Sequence, residues 1–500
     1  MSVDLTTGRD IPADVQEFLK SAGVLVIDGQ ERPGSEGETF TTLDPATEEV
    51  LAEIPQATAD DVDAAVQAAK RAHLDGRWRT MDPHQRSQVL HRIGDLIDQH
   101  ATSLAWVDTL DHGKPVGHAK AEMRAAANCF RYFAGWVDKV YGDVIPSRDG
   151  RLVYSRREPV GVCGQIIPWN FPFLMATWKI APALAFGNTV VLKPAEQTPL
   201  SALWLVRLCT EAGVPDGVVN LVQGVGEVTG AALVAHADVD KIAFTGSTEV
   251  GRLIMRESAA NLHKVTLELG GKSPNVVFPD APGGIAKVAA RAAFACFYNA
   301  GEVCTAGTRL VVHEDVHDEL VERVVATAEA TKVAPGWDRE SGMGPVVTDE
   351  QLQRVLGYVD VATGEGATLA TGGGRVEAYD RGFWVQPTVF DGVTSDMRIA
   401  QEEVFGPVLA VQTFADEEEA IAIANDVSFG LAAGVWTTDL GRAHRVAEAI
   451  RAGTVWVNTY GELDAPVSFG GFKQSGIGRE LGPHAVEAYT QPKSIWVNTR

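Results

Sequence analysis

Nowhere in this chain do 18 uncharged apolar residues run together, so no stretch reads as a membrane-crossing helix. Cysteine is scarce: Cys129, Cys163, Cys209, Cys296 and Cys304 are an odd set with no CxxC pair, which disfavours a disulfide framework or a structural zinc site. No metal site is expected, and a reduced, cytoplasmic setting is. Basic residues are outnumbered, 43 Lys and Arg against 66 Asp and Glu, and the net charge of −23 argues against nucleic acid or an anionic membrane as partner. Met1 to Asp10 has no apolar signal core, so secretion is not expected. What is present is ordinary globular composition, 45% hydrophobic and 22% charged, over 500 residues, enough for two or three domains.

Residues 1–57 read as short strands and turns. Thr58 to Asp61 has the pattern of a capping box, with Val62, Ala65 and Ala69 at helical spacing behind it. A second helix carries Leu90, Ile93, Leu96 and Ile97 on one face, with Arg86, Asp95 and Asp98 assigned to the other; a third runs from about Lys114 to Val140. Residues 151–158 and 493–498 read as lone strands suited to assembly.

From residue 160 the pattern becomes regular. Strands are expected at Val160–Ile167, Thr189–Lys193, Val218–Val222, Lys241–Phe244, Val265–Leu269 and Asn275–Phe278. A helix covers Pro172–Phe186, and another is capped by Thr198 with Pro199 first and stopped at Gly213. Such alternation predicts an α/β fold with parallel sheets and ligands beyond the carboxyl ends of the strands. Farther on, Leu310–His313 reads as a strand and Val316–Ala334 as a helix, while Gly372–Gly374 and Asp416–Glu419 read as a loop and a helix start.

Candidate chemistry lies at a few points. Gly224-Val-Gly226-Glu-Val-Thr-Gly230 misses the dinucleotide fingerprint by one residue in its last gap and reads by itself as a turn before a helix. Thr245-Gly246-Ser247-Thr248 follows a strand and opens a helix, offering free N–H groups to an anion such as pyrophosphate. Lys193 and Glu196, at the end of a strand, could reach ribose hydroxyls, and a carboxylate there would repel a 2′-phosphate. Glu268 is an acid in an apolar strand ending, where burial would raise its pKa toward that of a general base. Cys304 follows the apolar stretch Ile285–Phe297 on a turn with Gly301 and Gly307 on either side; an isolated cysteine is more often a small core hydrophobe.

Taken together, Pro168-Trp-Asn-Phe-Pro172, Lys193-Pro-Ala-Glu196, Phe244-Thr-Gly-Ser-Thr248, Leu267-Glu-Leu-Gly-Gly-Lys272, Gly301-Glu-Val-Cys304, Glu403-Val-Phe-Gly-Pro407 and Gly470-Gly-Phe-Lys-Gln-Ser-Gly476 resemble the NAD(P)-dependent aldehyde dehydrogenase superfamily from about residue 25 to 498. The resemblance implies two Rossmann-type α/β domains and a small β arm. The NAD-binding domain would be residues 1–138 and 160–269, the catalytic domain 270–475, and the oligomerisation arm 139–159 and 486–500, giving a homodimer or homotetramer. It implies Cys304 as nucleophile, Asn170 as oxyanion donor, Glu268 as base, and Lys179 and Glu480 in proton relay. For NAD it implies Trp169, Lys193, Glu196, Gly226, Gly246, Ser247 and Gly251 on the adenosine side and Glu403 and Phe405 on the nicotinamide side. The aldehyde tunnel would map to Phe171, Met175, Trp178, Tyr298, Val303, Thr305, Leu463 and Phe469, a lining without arginine. That predicts an uncharged aliphatic or aromatic aldehyde, with a betaine-aldehyde-type substrate or CoA-acylating chemistry as alternatives. Two departures from the family pattern stand beside the cysteine: Glu302, where glutamine is frequent, and the absence of an adjoining second cysteine.

Overall fold

The computed structural model describes residues 9–500; Met1 to Gly8 of the segment read for a signal lie outside it. Two large sheets organise the chain. In the first, the parallel strands Val162–Ile166, Thr189–Lys193, Val219–Leu221, Lys241–Thr245 and Lys264–Glu268 alternate with helices. The earliest of them, Val162–Ile166, lies mid-sheet. The next two strands add on one side and the following two on the other, so the strand order reverses beside it. In open α/β sheets this reversal opens a crevice at the carboxyl ends, where ligands bind. The second sheet is also mainly parallel and holds Pro274–Val277, Arg309–His313, Thr388–Asp391, Val408–Phe414, Ala432–Trp436 and Thr454–Val457. A third, small sheet pairs Arg151–Pro159 with Thr490–Asn498 along nine antiparallel positions. Among the described residues no helix is long and apolar enough to cross a membrane.

Several elements form as their residues dictate. Thr58 and Asp61 make the reciprocal capping box of helix Ala59–Leu74. Strand Thr189–Lys193 and helix Ile285–Phe297 match their expected bounds, and Ser247 caps Thr248–Ser258 by accepting the Val250 N–H.

Other expectations need correction. Residues 13–20 form a helix rather than strand and turn, because Val15 and Phe18 bury one face and Asp14 sits in its first turn. Arg86 does not face away: it is buried, and its guanidinium donates to the Trp78 and Arg79 carbonyls. The third helix is shorter, Val116–Ala134, ending at Gly135. Thr198 caps nothing. Its hydroxyl donates to the Trp169 carbonyl, and the helix begins at Leu200, whose N–H donates to the buried Asp111 carboxylate at 3.0 Å.

Candidate active site

The crevice predicted by the strand reversal is a cavity of about 680 Å³ between the two sheets. Three strand ends of the first sheet feed it: Pro168 to Phe171, Thr245 to Ser247, and Glu268 to Gly270. The second half contributes Cys304, Glu403 and Phe405, and the C-terminal region contributes Phe469 and Glu480.

Cys304 reaches the cavity by way of an unusual turn. Helix Ile285–Phe297 ends, and Asn299, Ala300 and Gly301 follow with φ of 53°, 54° and 72°, three consecutive left-handed residues. A Cβ on Gly301 would run into the Gly406 carbonyl, so glycine is required there. Beyond the cysteine, the Tyr460 hydroxyl donates to the Thr305 carbonyl at 2.7 Å and braces the loop. A side chain at Gly271 would strike the Cys304 carbonyl. The other four cysteines are fully buried, whereas Cys304 is partly exposed. Burial of its surroundings, then the nearby Glu403 and Glu268 carboxyls, push the thiol up to about 12.

Glu268 ends its strand, pinned on one side by Thr245 and on the other by Gly476 of a C-terminal strand. Both its carboxyl oxygens are buried without partners. Desolvation first, and Glu480 second, raise its pKa well above the usual range, while Lys179 and Arg479 oppose the shift. Behind it, the Lys179 ammonium is paired with Glu480 and donates to the Thr245 hydroxyl at 2.6 Å. Lys179 is therefore brought to Glu480 but does not itself line the cavity.

Asn170 is held from three directions. Its carboxamide donates to the Glu302 carbonyl at 2.8 Å, and its own carbonyl accepts from Lys114 at 2.9 Å and Asn299 at 3.2 Å. Lys114 and Asn299 were not singled out in the sequence. Asn299 stands next to the Ala-Gly pair, the tolerance of asparagine for left-handed φ being the available signal; Lys114 carries none.

At the other end, the Gly271 N–H donates to Glu403 at 2.8 Å, and a Cβ at Gly270 would overlap the Glu403 carboxyl. The two glycines thus form a cradle for this acid, which faces the cavity. Trp169 meets Phe405 edge-on at 5.1 Å, so it stands with the residues assigned to the nicotinamide rather than apart from them. Gly246 and Ser247 line the cavity; Lys193, Glu196, Gly226 and Gly251 do not. Lys193 and Glu196 pair at 2.9 Å beside the neighbouring strand end, and Gly226 opens a single helical turn, Gly226–Gly230.

All eight expected tunnel residues line the cavity. The lining is not free of charge, however. Arg354 is present, bound to the Glu403 and Val404 carbonyls at the Phe405 end. Glu122 and His118 also appear beside Tyr298, Glu122 being paired with Lys114 at 2.8 Å. They project from the helix Val116–Ala134 and carry no local motif.

The model of the aldehyde dehydrogenase family matches residues 32–495. The chain belongs to the aldehyde dehydrogenase family. Among its relatives is a putative aldehyde dehydrogenase of Bacillus subtilis, 48% identical across 97% of each chain. The mitochondrial aldehyde dehydrogenase of Homo sapiens is 47% identical over 97% of this chain and 94% of its own length. The solved aldehyde dehydrogenase of Bacillus cereus, in complex with NAD+, superposes with a TM-score of 0.95 at 46% identity over all of both chains. The fold of this aldehyde dehydrogenase family member is accordingly that of its solved relatives.

Proposed function

We propose that this protein oxidises an uncharged aliphatic or aromatic aldehyde to the carboxylic acid with NAD, through covalent intermediates on Cys304. The observation that carries this reading is the meeting of Cys304, Asn170 and Glu268 in one cavity whose walls beyond the thiol are aromatic.

NAD is the cofactor of this family member, and the residues fit it. The first-turn N–H groups of helix Thr248–Ser258 that Ser247 leaves open suit a pyrophosphate. Glu403, with one oxygen held by Gly271, offers the other to ribose hydroxyls. The Glu196 carboxylate disfavours a 2′-phosphate and hence NADP. We read the first sheet as the NAD-binding layer, the second as the catalytic layer and the third as the assembly arm of a homodimer or homotetramer.

Glu268 takes the Cys304 thiol proton and passes it to the Lys179–Glu480 pair, and the thiolate so formed attacks the aldehyde carbon and gives a thiohemiacetal alkoxide. The Asn170 carboxamide has one N–H engaged by the Glu302 carbonyl and a second for the oxyanion, with the Cys304 N–H as the other donor in this reading. Such a donor is worth roughly 3–4 kcal/mol. Bound NAD supplies the acceptor for the hydride that leaves as the alkoxide collapses. The thioester left on Cys304 is hydrolysed by water that Glu268 deprotonates. Lys179 and Glu480, paired next to Glu268, carry the proton onward.

Glu268 also favours hydrolysis over transfer to CoA. Phe171, Trp178, Tyr298 and Phe469 favour an apolar substrate over a carboxylate-bearing one, since Arg354 is occupied by backbone carbonyls. A panel of aldehydes assayed with NAD and NADP, with and without CoA, tests the reading. Hexanal and benzaldehyde should exceed succinic semialdehyde in kcat/KM, with NAD and independently of CoA. Preference for the semialdehyde, or CoA-dependent NADH formation, would overturn it.

A further inference from the structure

Glu302 replaces the glutamine frequent at its position, and its carboxyl is wholly buried behind the Cys304 turn. One oxygen accepts the Val347 N–H at 3.0 Å. The other lies 3.2 Å from Nε2 of His112, the last residue of helix Pro83–His112, itself buried. Neither that oxygen nor either ring nitrogen of His112 has an aligned hydrogen-bond partner, one another included, so the 3.2 Å approach is a close contact between two buried, unsatisfied groups. Two groups that each bind a proton thus face one another in a site closed to water.

We propose that Glu302 and His112 form a neutral acid–imidazole pair, joined by one proton, that positions Asn170 and the Cys304 turn for the reaction. This proposal rests on the roles given above to Asn170 and Cys304.

The charge arrangement decides where the proton sits. An ionised Glu302 beside a neutral imidazole would leave one net charge buried, and an imidazolium–carboxylate pair would bury two. The neighbouring charges do not rescue either state. Lys114 is the cation facing the pair; its ammonium is already committed to Glu122 and the Asn170 carbonyl, and it repels an imidazolium. Desolvation raises Glu302 well above, and lowers His112 well below, the ordinary values. The proton therefore belongs on the Glu302 oxygen, where an O–H turned toward His112 Nε2 would satisfy both atoms and leave the ring's own proton on Nδ1.

The pair is wired to the site on both sides. The Glu302 carbonyl accepts the Asn170 carboxamide at 2.8 Å, and Cys304 follows two residues later. The His112 ring stacks on Trp169, with centroids 6.1 Å apart and planes at 28°, and Trp169 directly precedes Asn170. Losing the link lets the oxyanion donor and the nucleophile drift relative to each other, and misplacement by about 1 Å costs on the order of 100-fold in rate.

Infrared difference spectra of wild type against E302Q at neutral pH should contain a protonated-carboxyl C=O stretch above the amide I band. In H112F, which keeps an aromatic ring against Trp169, that band should move to higher frequency because the acid has lost its acceptor. Absence of the band, or a band unmoved in H112F, overturns the proton assignment without requiring any activity. In steady-state assays, E302L should lower kcat by about 10- to 100-fold with KM within about threefold. E302Q, whose amide still accepts from Val347 and donates to His112, should recover to within about threefold of wild type. Equal kcat in E302L and E302Q overturns the positioning role. Failure of the underlying reading would look different: C304S would retain NADH formation while the carboxyl band persisted.

Discussion

Glu268 and Lys241 are both buried titratable groups, and burial moves them in opposite directions. For Glu268 the proton is retained to higher pH than in water, so the base is available only as pH rises, and the acid limb of the kcat profile belongs to it. E268Q should form NADH in a burst of about one equivalent per active site and then turn over some 10²- to 10⁴-fold more slowly, with the thioester accumulating on Cys304. Rapid-quench or stopped-flow absorbance reads this directly; full steady turnover in E268Q would remove Glu268 from the mechanism. Lys241 is wholly buried, donates to Thr266 at 2.8 Å and sits over the Tyr489 ring at 4.9 Å, with its pKa pulled down from 10.5 to about 7 by desolvation. Between those values the unfolded chain binds the proton and the folded chain does not. Its destabilising effect is therefore full below about pH 7 and is relieved as pH rises toward 10.5, at up to about 1.4 kcal/mol per pH unit. K241M should gain stability relative to wild type by about 1 kcal/mol or more at pH 6 compared with pH 9 in urea titrations. An equal difference at both pH values would contradict the assignment.

At the scale of elements, the turn Asn299–Gly301 converts an apolar helix into a presented thiol. G301A must place a methyl against the Gly406 carbonyl at φ 72°, costing about 1–3 kcal/mol. Chemical denaturation should report that loss, and kcat should fall with it because the Cys304 loop shifts; unchanged stability would mean that the turn relaxes freely. Elements of this kind differ in how legible they are from sequence. Strand Thr189–Lys193 holds the β-prone core Val190–Leu192 directly after the Gly187-Asn188 break, and helix Ile285–Phe297 is an uninterrupted periodic run, so both are readable to the residue. Helix Ala13–Lys20 is two turns long with two buried residues, too little periodicity to outweigh its surroundings. Thr198 has a suitable cap sequence, but Asp111, 89 positions away, takes the Leu200 N–H instead. The site divides the same way. Asn170, Glu268 and Cys304 stand in short motifs, the last two beside glycines, whereas His112 and Glu122 come from two long helices and Lys114 from the link between them, and all three acquire meaning only through tertiary contact.

At the scale of the whole molecule, the small sheet of Arg151–Pro159 and Thr490–Asn498, edged by a third strand at Val144–Ile145, carries exposed apolar side chains. Trp496 is 63% exposed on it, with Leu152 and Val144 exposed nearby. Our reading makes this an assembly surface, because a flat exposed strand with apolar side chains invites pairing. W496D should shift the protein to smaller species in light scattering while leaving the Cys304 thiol titratable. Retention of the wild-type mass would show that the arm does not hold the assembly.

The first sheet has a further consequence for the chain as it is made. Its outer parallel strand, Lys264–Glu268, is covered along its free edge by Gly476–Ile477, a strand more than two hundred positions later in synthesis. During translation Glu268 therefore sits on an uncovered edge until almost the entire polypeptide has left the ribosome. The same interval leaves open backbone donors and acceptors exposed on the nascent chain, which is when it is most prone to pair with a neighbouring copy.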